Sequence, residues 1–328
     1  MKNLLVTGGA GYIGSNIVKV LIDKGYKVVI LDSLVTGKEK LIHPDAAFCN
    51  VDLLDLEAVR KIFAENTIDT VLHFAGYSLV GESQKDPQKY YENNVLGGLI
   101  LLRVMEEFEC KKIIFSSSAA VYGVPRYIPI DEKHQLKPIN VYGETKVLFE
   151  KMLEYYSGKN ELKYLSLRYF NAGGASDCGK YGEMHDPETH LIPNVLKAIL
   201  AGEPVNVFGD DYETEDGTCV RDYVHVVDLA EAHLKGVEYL DHEESTSEII
   251  NLGSGKGFSV KQILDACGKV TGKDVKVVVA EKRAGDPPVL IAGFDKAKSV
   301  LGWSPARSVY DIVESAWKFE SGQAKPKF

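Results

Sequence analysis

Cysteine is scarce and scattered: Cys49, Cys110, Cys178, Cys219 and Cys267 are the only five in 328 residues. An odd number with no CxxC pair makes neither a disulfide framework nor a thiolate clip for a metal, so these read as buried or incidental thiols. Long apolar runs are also missing. No stretch approaches the roughly 18 residues that a membrane span requires. The chain passes from Met1-Lys2-Asn3 straight into a buried-strand pattern, without the features of a cleavable signal. A soluble, cytoplasmic protein is expected, with no membrane partner. Nor is there a run of five or more charges of one sign. Lys and Arg number 38 against 47 Asp and Glu, a formal net charge of -9, which argues against nucleic acid as a partner while leaving room for a local phosphate site.

What the chain does contain is alternation. Short β-branched runs, Leu4 to Val6, Val28 to Leu31, Ala47 to Val51, Thr70 to Phe74, Ile113 to Phe115 and Tyr164 to Leu167, are separated by helical patterns. The helical segments run near Gly11 to Lys24, Asp55 to Ala64, Tyr90 to Glu107 and Val141 to Ser157. Uninterrupted apolar strands divided by helices imply a parallel sheet covered on both faces. The expected fold class is therefore α/β, a Rossmann-type doubly wound sheet. After Arg168 a glycine-rich, strand-poor stretch from Asn171 to about Glu188 marks a domain change. Beyond it, Leu191 to Leu200, Val226 to Tyr239 and a Ser259-capped segment to Val270 read as helices. Val205 to Phe208, Glu248 to Leu252 and Val275 to Val279 read as strands. The expectation is a cofactor domain over 1–170 and a smaller α/β substrate domain over 171–328, with about 222–250 as the segment that packs back on the first.

Three clusters carry chemistry. Gly8, Gly11 and Gly14 stand at GxxGxxG spacing between the first strand and first helix, where close backbone approach and free helix N–H groups suit a pyrophosphate. Asp32 ends the second strand 18 residues after Gly14. There a carboxylate accepts hydrogen bonds from adenosine ribose hydroxyls and repels a 2′-phosphate, and Ser33 to Gly37 offer no arginine to that phosphate, so NAD is expected over NADP. Tyr142 and Lys146 form YxxxK within a helix, one turn apart on one face. A nearby ammonium favours tyrosinate, so Tyr142 is expected to serve as a base near neutral pH. Ser116, Ser117 and Ser118 follow the Ile113–Phe115 strand at the carboxyl edge of the sheet; Ser118 is the candidate to hold a substrate oxygen, Ser116 lines the cofactor and Ser117 is structural.

Together TGGAGYIGS, HFAG, SSSAAVYG, YGETK, RYFNAGG, FGDDYETEDGT and RDYVHVVDLA resemble the UDP-glucose 4-epimerases, extended short-chain dehydrogenase/reductases, from about residue 3 to past Trp303. The resemblance implies reversible C4 epimerisation of UDP-galactose and UDP-glucose through a 4-keto intermediate, in a homodimer. It implies NAD contacts from Tyr12, Ile13, Asp32, Ser33, Asp52, Leu53, Phe74, Ala75, Gly76, Asn93, Ser116 and Phe170. Tyr142 would be the base, Lys146 would hold the nicotinamide ribose and Ser118 would assist at the sugar O4. For the UDP-sugar it implies Asn171, His190, Leu191, Val207, Phe208, Arg221, Arg283, Asp286 and Leu290. Guanidinium chemistry suits Arg221 to a diphosphate, with a structural salt bridge to Asp222 or Asp228 as the alternative.

Two departures stand out. Ser78 occupies a position where many members have a lysine that meets the pyrophosphate, and Leu290 occupies the position that governs entry of N-acetylated sugars. A UDP-N-acetylhexosamine 4-epimerase, or an enzyme with both activities, is thus the alternative, and a non-catalytic NAD-sensing module the remote one. Ala119 and Ala120 replace the acids that a related dehydratase or decarboxylase carries after the active hydroxyl. His185 and His190 have no recognisable carboxylate or cysteine pattern to complete a metal site, so no metal is expected. His73, inside a strand, reads as a core histidine.

Overall fold

The computed structural model describes residues 2–283 and 286–322. Six of the apolar runs form strands β1 (Asn3–Thr7), β2 (Lys27–Asp32), β3 (Ala47–Asn50), β4 (Thr70–His73), β5 (Lys112–Ser118) and β6 (Lys163–Tyr169). In β1, β2 and β4 nearly every residue is buried, as strands covered on both faces require. The intervening helices are α1 (Tyr12–Asp23), α2 (Leu56–Glu65), the short α3 (Val80–Lys85) and α4 (Pro87–Tyr90), α5 (Gly97–Glu107) and α6 (Val141–Asn160). The helix expected over Tyr90 to Glu107 is interrupted, because Tyr91–Leu96 forms a π-turn between α4 and α5.

The chain divides into two compact units. The first contains the chain up to Gly123, Gln135–Arg168 and Ala230–Ile250. Leu5, Val29 and Val71 from its strands pack with Val59 and Phe63 of α2, Leu101 and Met105 of α5, and Phe149 and Leu153 of α6. The second contains Val124–His134, Tyr169–Leu229 and the chain from Asn251 onward. It holds β7 (Asn171–Gly173), α7 (Leu191–Ala201), β8 (Val205–Phe208) and β9 (Val220–His225), after which α8 (Val226–Leu240) begins in this unit and continues into the first. Then come β10 (Glu248–Leu252), β11 (Gly257–Ser259), α9 (Val260–Thr271), β12 (Val277–Ala280), β13 (Val289–Leu290), α10 (Asp295–Leu301) and α11 (Val309–Glu320). Residues of α7, α9 and α11, among them Val195, Ile263 and Ile312, form its core.

The large sheet runs β10-β6-β5-β4-β1-β2-β3, and the pairs from β5 through β3 are parallel. From β1 the chain winds outward through β2 and β3, then returns to the other side of β1 as β4. This reversal of direction opens a crevice at the carboxyl ends of β1 and β4, where open α/β sheets bind ligands. The short strand β7 and the whole of β9 are additions to the sequence expectation. In β9, Arg221 and Asp222 follow Val220, so the uninterrupted apolar run that betrays a buried strand is missing. No helix among the described residues is long and apolar enough to cross a membrane.

Candidate active site

The glycine loop sits in the crevice between β1 and β4. Gly8 has φ +73°, and a Cβ there would lie 2.6 Å from Ala75 N in the loop after β4. Gly14 is equally constrained, since its Cβ would approach Gly8 O to 2.3 Å. Only bare backbone allows the loop to fold under α1 and against Phe74-Ala75-Gly76. Gly11 caps α1 without a side-chain hydrogen bond, and the first turn, which includes Tyr12, Ile13 and Gly14, carries no acid. Those first-turn N–H groups and the positive helix end suit a pyrophosphate.

Asp32, at the end of β2, is buried and holds this loop in place. Its Oδ2 accepts from Ala10 N at 3.0 Å and its Oδ1 from Leu34 N at 2.9 Å, while burial pushes its carboxyl above the usual range against those two bonds. Ser33 follows, half-buried. On the neighbouring strand's carboxyl side Asp52 is exposed, its Oδ1 accepting from Leu54 N at 2.9 Å, and Leu53 is buried. These side chains fit a dinucleotide whose ribose carries free hydroxyls.

The loop after β4 is tied to the helix bearing Tyr142 and Lys146 by a residue that sequence reasoning missed. Asn94, beside the expected Asn93, is buried; its Nδ2 donates to Tyr77 O at 3.0 Å and to Thr145 Oγ1 at 3.2 Å, and its Oδ1 accepts from Tyr77 N at 2.8 Å. The one available signal was an amide pair in an otherwise apolar helical segment. The same packing places Gly76 so that a Cβ would lie 3.8 Å from Lys146 Nζ. His73 is buried beneath the crevice, with Nδ1 2.7 Å from Thr7 Oγ1, and burial lowers its pKa to about 3, so the ring is neutral at physiological pH.

Asn140 caps α6 through Gly143 N at 2.8 Å, and the first turns carry Tyr142 and Lys146. Tyr142 stands beside Ser118, whose hydroxyl pulls the phenol's pKa down and whose Oγ accepts from Ala120 N at 3.2 Å. Lys146 Nζ donates to Ser116 O at 2.7 Å and lies 5.6 Å from the Tyr142 ring centroid. Burial, and not Lys146, has the largest influence on Tyr142: it raises the phenol above its ordinary value, and the neighbouring Ser118 hydroxyl lowers it. Lys146 is itself brought down to about 8 by burial, opposed by the Glu150 carboxylate. The ammonium is turned toward the Ser116 carbonyl, and desolvation is the largest influence on both side chains.

Glu150, one further turn along α6, went unnoticed in the sequence although it continues the Tyr142–Lys146 face. It is buried and accepts from Ser117 Oγ at 2.6 Å, Ser166 Oγ at 2.8 Å, and Arg168 Nε and Nη2 at 2.9 and 2.6 Å. Arg168 Nη1 reaches Tyr122 Oη at 2.9 Å. This charged network anchors α6 to β5 and β6 behind Tyr142 and Lys146.

Apart from Ser118 and Tyr142, the candidate substrate residues belong to the second unit, as does Phe170, which is buried with its N–H donating to Leu252 O at 3.1 Å. Asn171 Nδ2 donates to Asp222 O at 2.9 Å. Arg221 donates from Nη1 to Val220 O at 2.8 Å and is paired through Nη2 with Asp286. Neither alternative salt-bridge partner is the observed one: Asp222 Oδ1 accepts from Ser254 and its Oδ2 from Gly255 and Ala292, while Asp228 pairs with Arg307. Arg283 stacks on Phe208, Cζ 4.1 Å from the ring centroid, and the adjacent Val207 is buried. Leu290 of β13 pairs in register with Arg221.

Leu191 begins α7 and His190 occupies its N-cap position. The sequence showed no carboxylate or cysteine arrangement that would complete a site with His185 and His190; in the structure Glu183 and Glu188 stand beside both rings.

The model of the NAD dependent epimerase/dehydratase family matches residues 4–253. The chain is 47% identical over 324 residues to a UDP-glucose 4-epimerase of Lactobacillus helveticus, covering 98% of each chain. It is 49% identical over 326 residues to one from Streptococcus mutans serotype c, again covering 98% of each. Among solved structures, the UDP-glucose 4-epimerase of Brucella ovis in complex with NAD superimposes with a TM-score of 0.94 at 43% identity, over 98% of this chain and 99% of that one.

Proposed function

The chain belongs to the NAD dependent epimerase/dehydratase family, and from that membership we propose that it interconverts UDP-galactose and UDP-glucose by reversible oxidation at C4, through a 4-keto sugar. The observation that carries this reading is the placement of Tyr142 beside the Ser118 hydroxyl, with Lys146 one turn on along α6 and its Nζ 5.6 Å from the Tyr142 ring centroid. When bound, NAD supplies the hydride acceptor and donor, and its oxidised ring brings a positive charge that favours tyrosinate.

Each residue then has a bounded task. Tyr142 takes the proton of the C4 hydroxyl and returns it, and Ser118 holds the sugar oxygen. Lys146, its ammonium held by the Ser116 carbonyl, anchors the cofactor ribose. Asp32 accepts from the adenosine ribose, and the N-terminus of α1 receives the pyrophosphate. Ala119 and Ala120 carry no proton, so chemistry stops at the alcohol–ketone step. We assign the UDP-sugar to the second unit, with Arg221 and Asn171 toward its diphosphate. The guanidinium has five donors, and its bonds to Val220 O and Asp286 leave others for phosphate oxygens. A homodimer is part of the proposal and is checked by sedimentation.

Enzyme as purified, given UDP-galactose and no added oxidant, is expected to form UDP-glucose; absence of that product would overturn the reading. Initial rates on UDP-galactose and UDP-N-acetylgalactosamine compare the two sugar classes at the Leu290 position.

A further inference from the structure

The segment before α7 gathers four donor side chains into one place, and none of them has a part in the chemistry above apart from the expectation that His190 borders the sugar nucleotide. Glu183, His185, Glu188 and His190 offer ligand atoms that all lie within 4.8 Å of one another. His185 Nδ1 is 2.8 Å from Glu183 Oε1, and His190 Nδ1 touches the same oxygen. Glu188 Oε1 lies 4.0 Å from His185 Nδ1 and 3.7 Å from His190 Nδ1. We propose that this constellation is a structural binding site for a divalent metal ion of the zinc class, with His185, His190, Glu183 and Glu188 as ligands.

Charge supports the assignment. The Glu183 and Glu188 side chains are 6% and 7% exposed, and Glu320, 13% exposed, lies nearby. Among the described residues the cation paired with this group is Lys197, whose Nζ is 3.2 Å from Glu188 and 3.8 Å from Glu320. Three poorly solvated carboxylates against one ammonium favour further positive charge at this place, which a divalent cation supplies.

Geometry supports it as well. A tetrahedral site with bonds of about 2.0–2.1 Å sets its ligand atoms roughly 3.3 Å apart. The four observed separations fall on both sides of that value, so adjustments of about an ångström bring the donors to one centre. Glu188 is already oriented: its Oε1 accepts from Thr189 N at 2.9 Å and His190 N at 3.0 Å, and its Oε2 from Lys197. Support of this kind from an outer shell is characteristic of metal ligands. Two imidazoles with two carboxylates match zinc and its first-row neighbours better than calcium or magnesium, which prefer all-oxygen shells. The ion would clip residues 183–190 onto the first turn of α7. It stands apart from the epimerase reading, and neither depends on the other.

The test uses the full-length protein, stripped with a chelator and titrated with zinc chloride. One zinc per chain retained through gel filtration is expected, with a rise in Tm of roughly 5 °C. Cobalt(II) in place of zinc is expected to give the intense visible absorption of a four-coordinate site. The pair His185→Ala and His190→Ala should abolish both signals, whereas His43→Ala should leave them unchanged. Far-UV circular dichroism and bound NAD content establish that each variant is folded. Less than stoichiometric binding by the unaltered protein, a cobalt spectrum of the hydrated ion, or stoichiometric binding that survives in folded double variant would each overturn the proposal.

Discussion

Burial moves both members of the Tyr142–Lys146 pair toward their neutral forms, raising the phenol and lowering the ammonium to about 8. Replacing Tyr142 with Phe is expected to lower kcat by about 10²–10⁴, the usual worth of a positioned acid–base group, while UDP affinity by calorimetry stays within a few-fold. A near-normal rate would remove Tyr142 from the mechanism. Lys146 is charged below its pKa and neutral above it, so turnover is expected to fall as pH rises through about 8; a kcat profile still level at about pH 10 would contradict this. Stability follows the opposite sign. Between about 8 and 10.5 the unfolded chain binds the Lys146 proton that the folded chain has released, so this group's contribution grows with pH across that window. YxxxK and the glycine spacing were legible because residue type and interval carry their chemistry. The direction of the tyrosine shift was not, since spacing is silent on solvent access. The Glu183–His190 cluster escaped for a related reason: donors at intervals of two, three and two on an irregular loop match no helical or strand period.

At the scale of elements, α6 owes its position to the Glu150–Arg168 network as much as to apolar packing by Phe149 and Leu153. Arg168→Leu would leave the Glu150 carboxylate buried beside only hydroxyl donors, at a cost of about 3–5 kcal/mol. Urea unfolding is expected to show that loss, and a change below about 1 kcal/mol, the range of an exposed pair, would show that the network does not anchor the helix. The strands of the large sheet and the α1 and α6 helices could be read from uninterrupted apolar runs and period. The Ser259 cap was readable too, and α9 starts there with a capping box closed by Gln262. By contrast β9 was hidden by Arg221 and Asp222, whose charges are met by Asp286 and by the Ser254, Gly255 and Ala292 N–H groups, partners distant in sequence. The π-turn at Tyr91–Leu96 was equally hidden, because a one-residue change of helical register leaves composition untouched.

Over the whole molecule, the chain passes between units at residues 123/124, 134/135, 168/169, 229/230 and 250/251, so neither unit is a continuous piece of sequence. The glycine-rich stretch after Arg168, read from the sequence as a domain change, begins beside the passage at 168/169. The return of Val124–His134 was invisible, since its short polar and proline-bearing segment resembles any surface loop. A fragment of residues 1–170 lacks α8 past Leu229 and the strand that borders β6. It is expected to give a circular dichroism spectrum without a cooperative thermal transition, whereas a sharp transition would mean that the first unit needs neither. The order of the sheet also bears on biosynthesis. On the ribosome β6 emerges with an open hydrogen-bonding edge, and β10, which covers it, follows only after Leu252 has been made. At about 5–20 residues per second that interval lasts roughly 4–16 s. For those seconds the nascent chain presents an unpaired row of backbone N–H and C=O groups along β6, a template for pairing with a neighbouring polypeptide until β10 covers it.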